Sequence, residues 1–203
     1  MLRTFDSPHI MKLEAIFESE NSIYIILELL ADGQLHSRIN EKMAIFSEEE
    51  VKCFLRGMGK ALYEIHRYRV MHRDIKPENI MLRGKTGLNP VLVDFGLAAD
   101  VDSDDYMLYR CGTPGYVAPE IISSKKGDKI NPECDIFSLG IIFHILLLKR
   151  PLFEGKTQEE VYEKNKRCEF NLNTSAYRNV DGKAMDLLRR MLKVDPSERI
   201  TSE

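Results

Sequence analysis

The chain has 203 residues, of which 43% are hydrophobic and 30% are charged, a balance that is typical of one globular domain. The formal net charge of −3 gives no electrostatic reason to expect binding to nucleic acid or to an acidic membrane surface. The most apolar run, Ile136–Leu148, is too short for a membrane span, so we expect a buried helix there. Four separated cysteines without a C-x-x-C pair, and a start unlike a signal peptide, predict a cytoplasmic protein with reduced thiols.

Two strands are predicted near the amino terminus, over Ile10–Phe17 and Ile23–Leu29, with a Glu-Ser-Glu-Asn turn between them. The second strand is nearly all apolar, which predicts that both of its faces are covered. A long amphipathic helix is then predicted to begin at Ser47, because Ser47 and Glu50 form an S-x-x-E capping box. The apolar residues that follow at helical spacing are Val51, Phe54, Leu55, Met58, Leu62 and Ile65.

Three short apolar runs come next. Each is followed immediately by polar residues, a pattern that is typical of strands that end beside a functional site. They are Val70–His72, Ile80–Leu82 and Val91–Val93. Residues 96–131 are rich in Gly, Ser, Asp and Lys and are predicted to form a long irregular loop, a kind of segment that is often functional.

Helices are expected to fill the carboxyl-terminal half. One resumes at Cys134, one follows a second capping box at Thr157 and Glu160, and one covers Lys183–Leu192. A few short strands followed mainly by helices predict an α+β domain.

Four polar blocks carry the strongest functional signal. His72–Asn79 reads HRDIKPEN, and Asp94-Phe95-Gly96 follows it after a strand-turn-strand stretch. Gly112-Thr113-Pro114 and Ala118-Pro119-Glu120 come after these in order. One such tripeptide alone carries almost no weight, but four in this order and spacing match a known catalytic signature.

These blocks resemble the eukaryotic protein kinase family, and the resemblance runs along the whole chain. Residues Cys111–Glu120, CGTPGYVAPE, are most similar to the calcium/calmodulin-dependent and calcium-dependent serine/threonine kinases. The resemblance implies a mostly helical large lobe over residues 31–203, with its final helix missing. It also implies that residues 1–30 are a remnant of the small lobe and hinge, with two strands of that lobe remaining.

The resemblance assigns chemistry to named residues, because phosphoryl transfer depends mostly on positioning and on neutralisation of phosphate charge. Asp74 is expected to accept a hydrogen bond from a serine or threonine hydroxyl of a protein substrate. Lys76 is expected to offset charge on the transferred phosphoryl group, beside a bonding partner in Thr113. Asn79 and Asp94 are hard oxygen ligands for Mg²⁺, so the implied cofactors are ATP and Mg²⁺.

An adenine site is also implied. Glu28 and Leu30 stand where hinge backbone groups bond adenine, with Leu27 as gatekeeper. The side chains that resemble the floor beneath adenine are Met81, Ile80, Leu82 and Leu35.

Several residues resemble the scaffold of the family. Glu120 and Arg199 match a buried ion pair, and Asp135 matches the helix residue that anchors the His72–Arg73 turn. The side chains that match the regulatory hydrophobic stack, or equally the core, are Leu2, Leu13, Phe95 and His72.

The pattern also lacks parts that kinases normally have, namely a Gly-rich loop, a strand lysine and a helix glutamate. Three explanations stay open: a piece of a longer gene product, a shortened inactive relative, or assembly with a chain that supplies the small lobe or a regulatory segment. We expect weak or absent ATP binding and negligible turnover by this chain alone. The alternative function is a pseudokinase-like binding scaffold without turnover.

Regulation and substrate preference have weaker signals. Asp102, Asp104 and Asp105 form an acidic patch that could substitute for an activation-loop phosphate opposite Arg73, and a plain solvated loop is equally open. Glu78 matches an acidic residue that often faces a basic substrate side chain. Gln34, however, stands where relatives that prefer basic substrates commonly have glutamate. The sequence contains no EF-hand loop, so calcium control is not indicated.

Overall fold

A computed structural model of the chain describes residues 2–41, 45–103 and 110–203. Helices dominate the described residues, and short strands come mainly from the first half, so the α+β prediction is confirmed. The α-helices are α1 (Leu35–Glu41), α2 (Glu48–Arg67), α3 (Pro119–Ser123), α4 (Glu133–Leu148), α5 (Gln158–Lys166) and α6 (Gly182–Met191). None of the helices in the described ranges is long and apolar enough to cross a membrane.

The strands among the described residues form three antiparallel pairs. They are β1 (Leu13–Ser19) with β2 (Ser22–Leu27), β3 (Val70–Met71) with β6 (Ala99–Asp100), and β4 (Ile80–Leu82) with β5 (Pro90–Leu92). The β1–β2 ribbon continues into the helical body through Met11, whose N–H donates to Leu92 O at 2.9 Å. The β4–β5 pair, which packs on α1 and α2, therefore connects the ribbon to the helices.

Helices α2 and α4 build the centre of the core. The capping box at Ser47 forms as predicted, with the Ser47 side chain accepting from Glu50 N and the Glu50 side chain accepting from Ser47 N. The apolar face of α2 is buried at Val51, Phe54, Met58, Leu62 and Ile65. Helix α4 is buried from Cys134 to Leu146, so the run that seemed too short for a membrane is an internal helix, as expected.

The prediction that both faces of the second strand are covered is wrong. Every residue of β2 is exposed, including Ile23 at 67% and Ile25 at 58%. Alternating residues of a strand point to opposite faces, so the exposure of Tyr24 at 57% leaves the other face open as well. An apolar strand in a two-stranded ribbon lacks the neighbours that would cover it.

The later helices follow the sequence with small changes. Thr157 caps α5 by accepting from Glu160 N, but the Glu160 carboxylate accepts from Lys156 N, one residue before the cap. The second capping box is therefore half formed. Helix α6 buries Met185, Leu188 and Met191, with Asp181 as its N-cap.

The long segment after residue 96 is less irregular than predicted, because it contains β6 and α3. Helix α4 is followed by its C-cap residue, Lys149, which is left-handed at φ 52° and ψ 36°. A residue with a Cβ adopts this conformation at a cost of about 1 kcal/mol.

Candidate active site

Two loops meet at the end of the β4–β5 pair. Asn79 lies just before β4, and Asp94 lies just after Val93, which follows β5. The pairing of Ile80 with Leu92 brings these ends together, and Val93 N donates to Asn79 O at 3.0 Å. The local register of two three-residue strands therefore sets the distance between the HRDIKPEN and Asp-Phe-Gly blocks.

Asp135 anchors the first loop from inside the core. Its carboxylate accepts the backbone N–H groups of His72 and Arg73, each at 2.8 Å, which confirms the expected contact. His66 Nε2 lies 3.0 Å from Asp135 Oδ2. Burial alone would raise the pKa of Asp135, but these hydrogen bonds and the histidines hold that pKa below its ordinary value. The turn is tight, with Arg73 at φ 66°.

Asp74, Lys76 and Thr113 form a closed polar triangle. Thr113 Oγ1 donates to Asp74 Oδ1 at 2.7 Å, and Lys76 Nζ donates to Thr113 Oγ1 at 2.9 Å. Lys76 Nζ also lies 2.8 Å from Asp74 Oδ2. Asp74 is 9% exposed, so these charge-assisted bonds are made in a largely desolvated place and fix the carboxylate.

Asn79 joins this triangle through its amide nitrogen. Nδ2 donates to Asp74 O and to Asp74 Oδ2, both at 2.9 Å. Because both amide hydrogens are committed to Asp74, the amide oxygen points the other way and is available as a ligand. Asn79 is 6% exposed, which restricts it to this orientation.

His72 connects the two loops. Burial lowers the pKa of His72, so the ring is neutral at pH 7. Asp74 N donates to Nδ1 at 3.3 Å, which places the ring proton on Nε2, 3.0 Å from Val93 O. The neutral ring therefore links the backbone of Asp74 to the residue before Asp94.

Asp94 is exposed and left-handed, with φ 61°. Its Oδ1 accepts from Gly96 N at 3.1 Å, a local turn that orients the carboxylate. The Asn79 amide oxygen and the Asp94 carboxylate are hard oxygen donors from the two joined loops, and such a set fits Mg²⁺ that keeps water and phosphate ligands. Within the described ranges, no group of three or more His, Cys, Asp and Glu side chains forms a metal cluster.

The residues implied for adenine lie beside these loops, with different exposures. Glu28 N donates to Lys12 O at 3.0 Å, while the Glu28 carboxylate accepts from Arg83 at 2.8 Å and from Lys12 N at 3.0 Å. Leu30 and Met81 are half-buried. The expectation that Ile80, Leu82 and Leu35 form the floor beneath adenine is wrong, because these side chains are buried in the core. Side chains alternate along a strand, so Met81 points away from Ile80 and Leu82.

The aromatic packing at Phe95 includes a residue that the sequence did not suggest. His72 and Phe95 pack edge-on at 4.9 Å, and Phe5 packs on the same ring at 5.7 Å. Leu2 is partly buried against the core, and Leu13 is half-buried. Phe5 lies outside every motif, so no sequence signal marked it.

The acidic-patch hypothesis is wrong at Asp102. The carboxylate of Asp102 accepts two hydrogen bonds from Arg69, at 2.7 Å and 3.1 Å, which hold the pKa of Asp102 below its ordinary value. Arg73 Nε donates to Leu97 O at 2.8 Å. Asp104 and Asp105 lie outside the described residues.

Comparison with known proteins gives a consistent result. The family described as "Protein kinase domain" matches residues 1–203. The chain is 34% identical over 213 residues to serine/threonine-protein kinase 33 of Mus musculus, covering all of this chain and 43% of that protein. It is 32% identical over 205 residues to a probable myosin light chain kinase of Dictyostelium discoideum, with 100% and 65% coverage. It is 35% identical over 204 residues to calcium-dependent protein kinase 5 of Plasmodium falciparum, with 100% and 35% coverage. The chain thus spans less than two thirds of the length of these relatives.

Proposed function

Because this chain belongs to the protein kinase domain family, we propose that it is the catalytic region of a serine/threonine kinase, which transfers the γ-phosphoryl group of ATP to a protein hydroxyl. The triangle of Asp74, Lys76 and Thr113 is the observation that carries the proposal. It combines a fixed carboxylate, a cation and a hydroxyl within hydrogen-bond distance of one another. Phosphoryl transfer needs that combination, because it depends on positioning and charge neutralisation.

In this proposal Asp74 accepts the hydrogen bond of the substrate hydroxyl and aligns it for in-line attack. The attacking oxygen forms its bond to phosphorus as the bond from phosphorus to the leaving diphosphate oxygen breaks, and the hydroxyl proton passes to the Asp74 carboxylate. Lys76 offsets negative charge on the transferred group, and the Thr113 hydroxyl holds the Asp74 and Lys76 side chains in place by bonding both of them. Asn79 and Asp94 would hold Mg²⁺, which neutralises phosphate charge when it is bound.

The nucleotide base is assigned to the surface beside the ribbon. Backbone groups of Glu28 and Leu30 would bond adenine, and the Met81 side chain would pack beneath it. The Glu28 carboxylate supports this by tying the end of β2 to Arg83 on the helical side, which fixes the backbone there. The charged side chains of Lys76 and Asp94 and the polar amide of Asn79 then lie toward the phosphates.

We assign residues 31–203 to the large lobe and residues 1–30 to strands and hinge of the small lobe. The exposed apolar side chains of β2 support this, because a strand of that composition normally packs against further structure. A covering segment from a longer product or from another chain would complete the nucleotide site. We therefore expect little turnover by the 203 residues alone. Four free thiols support an intracellular setting.

Glu78 supports a preference for a basic group on the substrate. Its Oε1 lies 3.1 Å from His36 Nδ1, while its Oε2 is buried and, among the described residues, has no hydrogen-bond partner. That oxygen cannot be reached from solvent, but the Glu78 side chain as a whole is 41% exposed, so the negative charge of the carboxylate attracts a basic group at the surface. His36 already occupies one side of the carboxylate, so this preference is weaker than that of a free acidic pair.

The test is phosphoryl transfer to a serine/threonine peptide library, measured with this chain and with any longer product of the same gene. We expect transfer by the longer product and loss of at least 1000-fold in its Asp74→Asn variant, since the hydroxyl loses its acceptor. Asp186→Asn, an exposed change on α6, is the control. Equal rates for Asp74→Asn and the unchanged protein would reject the assignment.

A second function, a scaffold that binds partners without turnover, is favoured by the open apolar face of β2. Nucleotide titration with and without Mg²⁺ separates the two. A longer product that binds no nucleotide yet captures a partner would favour the scaffold.

A further inference from the structure

Helix α5 contains a polar residue at its most buried point. Asn165 is 0% exposed, and it is the buried residue of this otherwise charge-rich helix. A buried carboxamide without partners would destabilise the fold, so its contacts decide what it does.

Both the oxygen and the nitrogen of the Asn165 amide form hydrogen bonds with the same backbone turn. Gly115 N donates to Asn165 Oδ1 at 2.9 Å, and Asn165 Nδ2 donates to Val117 O at 2.9 Å. The amide oxygen therefore accepts from one backbone N–H, and the amide nitrogen donates to one backbone carbonyl two residues further along the chain. Few other side chains of this size can satisfy both groups.

The same turn carries Thr113. Tyr116 N and Val117 N donate to Thr113 O at 3.0 Å and 3.1 Å, and Ser138 Oγ of α4 donates to Tyr116 O at 2.8 Å. Three successive residues of the turn are thus held by side chains from two helices. Thr113 is fixed at the start of the turn, with its hydroxyl bonded to Asp74.

We propose that Asn165 is a positioning residue for the candidate active site. It acts through the turn Thr113–Val117, which it clamps to α5, and so keeps the Thr113 hydroxyl between Asp74 and Lys76. The inference rests on the proposed function, because it concerns the geometry of the same polar triangle. It also makes α5 a helix whose movement reaches that triangle through two hydrogen bonds.

Asn165→Leu is the sharpest variant, because leucine has the same branching at Cγ, although it is larger, and satisfies neither Gly115 N nor Val117 O. Asn165→Asp keeps an acceptor for Gly115 N while placing a negative charge against the Val117 carbonyl. Asn171→Leu, an exposed asparagine beyond α5, is the matched control.

The experiment uses the full 203-residue chain, with ¹⁵N-labelled amides and ¹³C-labelled threonine methyl groups. In Asn165→Leu we expect the Gly115 amide to exchange about tenfold faster, as for the loss of one hydrogen bond, and the Thr113 methyl resonance to move. In Asn165→Asp we expect the Gly115 amide to stay protected and the Thr113 resonance to move. The control should change neither.

Faster Gly115 exchange with an unmoved Thr113 resonance would overturn the proposal, since Asn165 would then stabilise the fold only. If the leucine variant does not fold, the aspartate variant decides, because an unmoved Thr113 resonance in that variant also overturns the proposal. Failure of both variants to fold overturns it as well. These signals need neither ATP nor turnover. A chain that never transfers phosphate can therefore still support the positioning role, and an active kinase can still contradict it.

Discussion

The guanidinium of Arg199, at 0% side-chain exposure, forms a two-point ion pair with the Glu120 carboxylate, at 2.6 Å through Nη1 and 3.1 Å through Nη2. Arg199 also donates to three backbone carbonyls, of Lys193, Glu133 and Val194. The pair thereby ties α3 to the end of the chain and to the start of α4.

Removal of Glu120 should be strongly destabilising, because it leaves a buried cation without its counter-ion. We expect Glu120→Ala to lower the free energy of unfolding by about 3 kcal/mol, measured by urea denaturation. Glu198→Ala, which removes the exposed partner of Lys193, is the control and should cost less than about 1 kcal/mol. A loss for Glu120→Ala no larger than that of the control would contradict the buried pair.

His144 should make the fold sensitive to acid. Burial lowers the pKa of His144 to about 4 from an unfolded value of 6.5. The unfolded chain therefore takes up a proton first as pH falls, so stability should be lost between pH 6.5 and about 4. We expect His144→Gln, which can still bond the Tyr177 hydroxyl, to remove about 2 kcal/mol of the stability difference between pH 7 and pH 4.5.

Urea denaturation at the two pH values measures this difference directly. His36→Gln, a surface change, is the control and should leave the difference in place. The same pH dependence in His144→Gln as in the unchanged chain would show that other groups account for it.

Lys149 should be an easy site to stabilise. It adopts the left-handed conformation at the end of α4, which glycine reaches without strain. We expect Lys149→Gly to raise the free energy of unfolding by about 0.5 to 1 kcal/mol, while Lys149→Ala keeps the strained Cβ and gains nothing. A lower urea midpoint for the glycine variant than for the alanine variant would show that the lysine side chain contributes more than the backbone strain.

Gly112 is expected to tolerate no side chain. Its φ is +99°, and an added Cβ would lie 2.9 Å from Arg73 O, beside the loop that carries Asp74. We predict that Gly112→Ala costs about 2 kcal/mol and displaces the Thr113 methyl resonance. Gly182→Ala is the control, because Gly182 has open space around it at the start of α6 and alanine favours helix there. An unshifted Thr113 resonance in Gly112→Ala would mean that the loop adapts.

Local signals predicted the fold well where one segment determines its own structure. The Ser47–Glu50 capping box and the apolar spacing after it fix α2, because both depend on residues within a few turns of each other. The polar blocks likewise predicted Asp74, Lys76, Asn79 and Thr113, which the structure brings together.

Features that depend on distant partners could not be predicted in this way. The exposure of β2 is set by which elements lie next to it, and composition alone suggested a covered strand. Asp102 bonds Arg69, which the β3–β6 pairing brings near it, instead of Arg73. Asn165 looked like an ordinary residue of a charged helix, because its two partners lie 50 and 48 residues earlier in the sequence.

Asp135 has a consequence for the order in which the molecule can acquire its shape. Its carboxylate belongs to the innermost helix, yet it sets the conformation of the turn that leads to Asp74. A chain in which α4 has not yet packed on α2 therefore lacks the two hydrogen bonds from Asp135 that fix this turn. The ordered conformation of the loop that carries Asp74 should therefore form together with, or after, the packing of α4 on α2.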